Sequence, residues 1–111
     1  MGILFVVATP IGNLKDISFR ALETFQEADF IACEDTRHTL GLLTHYEISK
    51  PLISCRAVNE ASASEKIVKL LDEGKNVGFL TIGDTMTYST YVYILEHLPE
   101  KYSVETVSGI S

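Results

Sequence analysis

Apolar residues in this chain fall into short unbroken runs, separated by segments in which they recur every three or four positions. Ile3-Leu4-Phe5-Val6-Val7-Ala8 is such a run, rich in β-branched and aromatic side chains. It predicts a strand buried on both faces, as in a parallel sheet. The run ends at Thr9-Pro10-Ile11-Gly12-Asn13, where Pro and Gly mark a loop. Asp16 or Ser18 can then cap a helix with Phe19, Leu22 and Phe25 on one face and Ala21 and Ala28 close by.

The pattern repeats along the chain. A second strand at Phe30-Ile31-Ala32-Cys33 stops in a polar knot, Glu34-Asp35-Thr36-Arg37-His38-Thr39, and a short helix through Leu40, Leu42, Leu43 and Tyr46 follows. Pro51-Leu52-Ile53-Ser54 is a third strand, with Arg56 to Glu60 as its exit loop. Ser62-Ala63-Ser64-Glu65 has the spacing of a capping box, opening a helix that buries Ile67, Val68, Leu70 and Leu71. Gly74 is placed to stop it. A fourth strand over Asn76–Thr81 runs into Ile82-Gly83-Asp84. Thr85 or Thr87 then caps a fourth helix with Tyr91, Ile94, Leu95 and Leu98 as its apolar stripe, and Val104–Val107 makes a fifth strand.

Five strands alternating with four helices predict an α/β domain built on a parallel sheet with right-handed crossovers. The polar loops at 9–13, 34–39, 55–60 and 83–90 all follow strands, so the topology gathers them at one edge. Ligand sites in open α/β sheets lie at that carboxyl edge, where strand order reverses.

Composition narrows the function classes. A length of 111 residues suits one domain, and 46% hydrophobic against 22% charged residues is ordinary for a folded globule. A net charge of −6 disfavours a stand-alone nucleic-acid binder, since nonspecific affinity comes largely from Lys and Arg on phosphates. RNA stays open as a substrate if a partner or another domain supplies positive charge. Cys33 and Cys55 fit neither a zinc spacing nor a disulfide framework, and they read as reduced thiols in or near a core. The apolar start lacks a basic leader, and no apolar run approaches the roughly 20 residues that span a bilayer. The expectation is a soluble, cytoplasmic protein with no membrane partner.

The loops carry the candidate chemistry. Gly83-Asp84, with Thr85, Thr87, Ser89 and Thr90 nearby, offers amides, one carboxylate and several hydroxyls. A strand-end carboxylate can hold a ribose diol or an amine and would repel phosphates. The alternative is a plain turn with a helix cap. No Walker-type loop or Gly-x-Gly-x-x-Gly is present, so phosphate cradling there is unsupported. Glu34 and Asp35 could ligate a metal with His38, but adjacent carboxylates in a strand point to opposite sides. The reading adopted is no metal, with Asp35 or Thr36 capping the next helix and Arg37 pairing with an acid. His45 and His97 read as surface helix residues. Tyr88, Tyr91 and Tyr93 could stack on a flat ligand, although helical spacing favours Tyr91 in the core. No Ser-His-acid or Cys-His constellation is recognisable.

Long motifs in the first two-thirds of the chain are more specific. Val7-Ala8-Thr9-Pro10-Ile11-Gly12-Asn13-Leu14, Asp16-Ile17-Ser18-Phe19-Arg20-Ala21-Leu22, Cys33-Glu34-Asp35-Thr36-Arg37-His38-Thr39 and Asn59-Glu60 resemble the tetrapyrrole methylase superfamily of S-adenosylmethionine-dependent methyltransferases. Within it, residues 3–77 look like the branch that methylates the ribose 2′-hydroxyl of small-subunit (16S) ribosomal RNA. From Phe79 the likeness changes. Gly83-Asp84-Thr85-Met86-Thr87-Tyr88-Ser89-Thr90-Tyr91 and Val104–Ser111 resemble the precorrin-2 or cobalt-factor-II methyltransferases of cobalamin synthesis, which usually have Pro where Ser108 stands. The change near residues 72–78 suggests a chimera of two homologous halves, engineered or naturally divergent.

The resemblance implies a three-layer, five-stranded parallel sheet of order 3-2-4-1-5. It also implies that residues 1–111 are a single N-terminal domain of a two-domain enzyme, with the C-terminal domain absent and the cofactor cleft between the two. Gly83, Asp84, Thr85, Met86, Ser89 and Thr90 would line the S-adenosylmethionine pocket. Pro10, Gly12 and Asn13 would border the acceptor, either rRNA or a tetrapyrrole. Glu34, Asp35 or Asn59 are candidates for a base that helps a ribose hydroxyl. An N-terminal domain of this kind is expected to be inactive alone and to self-associate through apolar surface that its missing partner domain would cover. The contrasting expectations are a folded chimeric module without activity, a corrinoid methyltransferase fragment, or a binding module that uses the exposed cleft.

Overall fold

The computed structural model describes residues 2–9, 17–82, 96 and 103–108. Five strands are present: β1 (Ile3–Thr9), β2 (Phe30–Cys33), β3 (Leu52–Ser54), β4 (Val77–Ile82) and β5 (Ser103–Ser108). All pair in parallel, in the order β3-β2-β4-β1-β5. The helices are α1 (Phe19–Glu27), α2 (Thr36–His45) and α3 (Glu60–Asp72). Fold class and strand order therefore match the expectation. The anticipated fourth helix, with its Thr85 or Thr87 cap, lies outside the described residues apart from Glu96.

Strand alternation splits the core into two layers. Leu4, Val6, Ala32, Ile53, Val77 and Phe79 face α3, where Ala63, Ile67, Leu70 and Leu71 cover them. Val7, Ile31, Cys33, Leu80 and Val107 face the opposite way, toward Ala21, Phe25 and Ala28 of α1 and Leu42 and Leu43 of α2. Each central strand is thus apolar on both sides, which is why its sequence runs apolar without alternation.

The lower edge of the sheet is stitched by Asn76. Its Oδ1 accepts the Ile3 N–H at 2.9 Å and its own N–H donates to Asp29 Oδ2 at 2.8 Å. The Asn76 carbonyl accepts the Asp29 N–H at 2.8 Å. One side chain and its backbone thereby set the starts of β1, β2 and β4 level.

Three local expectations are corrected. First, α3 begins at Glu60, two residues before the Ser62 capping box, because a 3-10 turn over Ala57–Asn59 leads directly into it. Ser62 lies inside the helix, where its hydroxyl donates to the Asn59 carbonyl at 3.2 Å. This also removes Arg56–Glu60 as an irregular loop.

Second, Phe19 is 75% exposed and outside the buried stripe of α1. Ala21, Thr24 and Phe25 form that stripe, and the Thr24 hydroxyl is satisfied by donating to the Arg20 carbonyl at 2.9 Å. Ala28 and Phe25 of this segment pack over Gly78 of β4, where an added Cβ would lie in ordinary contact, 3.5 Å from Ala28 Cβ and 3.7 Å from Phe25 Cδ1.

Third, Leu40 of α2 is 58% exposed, while Thr39, Leu42 and Leu43 face the sheet. The acid expected to pair with Arg37 is not found among the described residues. The caps otherwise fall as expected. Ser18 Oγ accepts the Ala21 N–H at 3.1 Å, Asp35 Oδ1 accepts the His38 N–H at 3.0 Å, and Gly74 ends α3 with φ +84°.

Candidate functional site at the carboxyl edge

Parallel pairing puts every strand's carboxyl end on one side of the sheet. Two neighbourhoods form there. At the first, β1 and β4 are adjacent and in register to their last residues, with Thr9 opposite Ile82. The segments that leave these two residues carry Pro10, Gly12 and Asn13 on one strand and Gly83, Asp84, Thr85, Met86, Ser89 and Thr90 on the other. All nine lie outside the described residues, so the register of the strands beneath them is what the fold contributes. From β1 the chain goes on to β2, on one side of this pair, and from β4 to β5, on the other. That reversal is the topological condition for a ligand crevice.

The second neighbourhood is fully described. At the ends of β2 and β3 a cavity of about 390 Å³ is lined by Glu34, Asp35, Thr36, Arg37, Ser54 and Arg56. Here too the exits diverge: β2 leads into α2 on one face of the sheet and β3 into α3 on the other. The Cys55 N–H donates to the Cys33 carbonyl at 2.8 Å, which extends the β2–β3 ladder to the cavity floor.

Asn59 holds two of the lining residues, Ser54 and Arg56, in place. Its Oδ1 accepts the Arg56 N–H at 2.6 Å and its Nδ2 donates to the Ser54 carbonyl at 3.0 Å. The side chain closes the turn after β3, and both ends of its amide are engaged. Asp35 is likewise occupied as the cap of α2. Of the three acceptor-side base candidates, Glu34 alone keeps a buried oxygen, Oε2, without a hydrogen-bond partner among the described residues. The fold therefore brings Glu34, Asp35 and Asn59 into one region while engaging two of them in structure. Among the described residues, no group of three or more His, Cys, Asp or Glu side chains gathers to hold a metal.

Sequence reading missed Arg56 and Ser54 as partners of the polar knot. The only local signal was an Arg in the first turn of α2, where the helix dipole disfavours cations. Cys33 and Cys55 are free and fully buried, on opposite faces of the sheet. Burial pushes both thiols up, Cys55 to about 12, so neither is a nucleophile near neutral pH. Among the described residues no helix is long and apolar enough to cross a membrane.

Comparison with known proteins adds the context for this edge. The family profile described as Tetrapyrrole (Corrin/Porphyrin) Methylases matches residues 4–111. A relative from Thermotoga maritima, named ribosomal RNA small subunit methyltransferase I, is 49% identical over 100% of this chain and 51% of its own length. Its counterpart of the same name from Mycoplasmopsis pulmonis is 40% identical over 100% of this chain, again 51% of its own length. The chain thus spans about half the length of these curated relatives, and both matches run through residues 72–78. A crystal structure of uroporphyrin-III-C-methyltransferase from Thermus thermophilus shares the fold, with a TM-score of 0.69 at 19% identity. It is matched over 99% of this chain and 48% of that one.

Proposed function

The chain belongs to the tetrapyrrole (corrin/porphyrin) methylase family, and from that premise we propose that it is the N-terminal part of an S-adenosylmethionine-dependent methyltransferase acting on a ribose 2′-hydroxyl of small-subunit ribosomal RNA. The observation that carries the rRNA acceptor is the 49% identity, over the whole chain, to a relative named ribosomal RNA small subunit methyltransferase I, and the ribose hydroxyl is taken from the motif resemblance. In this reading the donor side is the crevice above the paired ends of β1 and β4, Thr9 and Ile82, an assignment supported by the resemblance of the motif that follows Ile82.

The residues that follow Ile82 in the sequence are of types that suit the donor molecule. Asp84 supplies an acceptor for a ribose diol or an ammonium group. Gly83 lets the backbone come close, and the hydroxyls of Thr85, Ser89 and Thr90 satisfy polar edges. S-adenosylmethionine, when bound, supplies an electrophilic methyl on sulfur. The chain's part is to hold donor and acceptor in line and exclude water, which needs no covalent enzyme intermediate. Pro10, Gly12 and Asn13 border the acceptor side. Residues 1–111 act as one domain, and a second domain, of the kind the relatives' greater length allows for, closes the opposite wall of the pocket.

Joining the chain to the C-terminal half of the Thermotoga maritima relative tests this directly. With labelled methyl donor and 30S subunits, the joined protein is expected to label 16S rRNA, and Asp84→Ala in it to abolish labelling and binding of S-adenosylhomocysteine. The 111-residue chain alone should give no label. Strong labelling by the chain alone would overturn the split pocket. A joined protein that binds S-adenosylhomocysteine and leaves rRNA unmethylated would overturn the acceptor.

A further inference from the structure

The β2–β3 cavity has two chemical demands that its own residues meet only in part. The first is for an anion. Arg37 and Arg56 are both exposed at its mouth, and neither guanidinium is paired among the described residues. Arg37 stands in the first turn of a ten-residue helix, where the dipole disfavours a cation, and the nearby Asp35 carboxylate is engaged as the helix cap. The same turn presents amides that have no partner within the helix. The second demand is for a hydrogen-bond donor. Glu34 Oε2 is buried and has no hydrogen-bond partner among the described residues, a cost relieved when the side chain turns its carboxylate to a ligand hydroxyl in the cavity it lines. A phosphate alone answers the first demand and is repelled by the second.

Both demands are met by one ligand class, a phosphodiester with a free hydroxyl on its sugar. The volume of about 390 Å³ lies in the range of small-ligand sites. The position is informative as well. From the middle of the β2–β3 pair to the middle of the β4–β1 pair is two strand spacings, about 10 Å. The cavity is beside the donor crevice and outside it, within reach of a neighbouring nucleotide of the same strand.

We propose that this cavity holds a ribonucleotide flanking the methylated residue, its phosphate on Arg37 and Arg56 and its ribose 2′-hydroxyl donating to Glu34. The proposal rests on the RNA acceptor named above. It makes Glu34 a selector of RNA over DNA, since the 2′-hydroxyl is what distinguishes them at a single site. It also explains how an acidic chain takes a polyanion: the interaction is local, and Asp35 beside it limits its strength.

The test is fluorescence anisotropy at low salt with the 111-residue chain, using a short single-stranded RNA and the DNA of the same sequence. Wild type is expected to favour RNA. Arg37→Ala with Arg56→Ala should weaken both ligands and flatten the salt dependence, by about 0.7 in log–log slope for each phosphate left without its arginine. Glu34→Ala should erase the RNA preference by lowering RNA affinity to the DNA value. Asp35→Asn, which keeps a capping oxygen and removes a charge, should tighten both.

Thermal melts of each variant separate lost binding from lost fold. RNA binding absent in wild type, unchanged in the double arginine variant, or still preferred over DNA in Glu34→Ala would each overturn the proposal. So would inorganic phosphate competing fully while RNA and DNA bind alike. If the joined protein methylates rRNA and these variants bind normally, only the flanking pocket falls. If no rRNA is methylated, the acceptor reading falls first.

Discussion

Replacing Asn59 by Ala separates a structural residue from a catalytic one at this edge. The substitution deletes two hydrogen bonds, from the Arg56 N–H at 2.6 Å and to the Ser54 carbonyl at 3.0 Å. The backbone bonds of the same turn survive, including Asn59 N–H to the Arg56 carbonyl at 3.0 Å. The Arg56 N–H is exposed and can turn to water, whereas the Ser54 carbonyl is partly buried and keeps more of its desolvation cost. Together the loss is about 1–3 kcal/mol. For a domain of this size each kcal/mol moves the melt by about 4 °C, so the expected drop is about 4–12 °C.

Asn59→Asp keeps the acceptor and loses the donor, and should fall between the two. Circular dichroism melts of the three proteins, with S-adenosylhomocysteine binding measured on the joined enzyme, complete the experiment. Donor binding should persist in both variants. An unchanged melt in Asn59→Ala with methylation abolished would refute the structural assignment and restore Asn59 as a candidate base.

Two further outcomes follow from the core. Gly78→Ala adds a methyl in ordinary contact with Ala28 Cβ, Phe25 Cδ1 and Ile31 Cγ1, at 3.5, 3.7 and 4.0 Å, and should stabilise by about 1 kcal/mol in urea unfolding. The same change at Gly74, held at φ +84°, should cost about 1 kcal/mol, and equal signs at the two sites would contradict the packing described. Cys55 has a folded pKa of about 12 against an ordinary 9.0, so its stabilising share is complete below pH 9 and is lost as pH rises toward 12. Urea midpoints should therefore fall across that alkaline range, and Cys55→Ala should flatten the fall. An alkaline profile identical in the variant would show that the thiol is not its source.

Some of this molecule was legible in the chain itself. Ile3–Ala8, Phe30–Cys33 and Phe79-Leu80 are apolar without alternation because helices cover both faces of the sheet, and a two-sided burial leaves its mark in every position of a strand. Strand-to-loop boundaries were equally plain, since Pro, Gly and the Asp35 cap act on their own neighbours. The order β3-β2-β4-β1-β5 came from family motifs and not from periodicity, which says nothing about which strand pairs with which.

Only the tertiary structure decided the rest. Phe19 and Leu40 fit an apolar stripe by spacing, but α1 turns Ala21, Thr24 and Phe25 to the sheet and α2 turns Thr39, Leu42 and Leu43, which leaves both residues exposed. The start of α3 was misread because a local Ser-x-x-Glu pattern competes with a bond from Asn59 to the Ser54 carbonyl, made only once β3 has been placed. Arg37 and Arg56 are far apart in the chain and line one cavity because β2 and β3 pair in parallel and send their chains to opposite faces. Local chemistry fixes elements and caps. The meeting of distant charges is a property of strand pairing, and no single segment carries it.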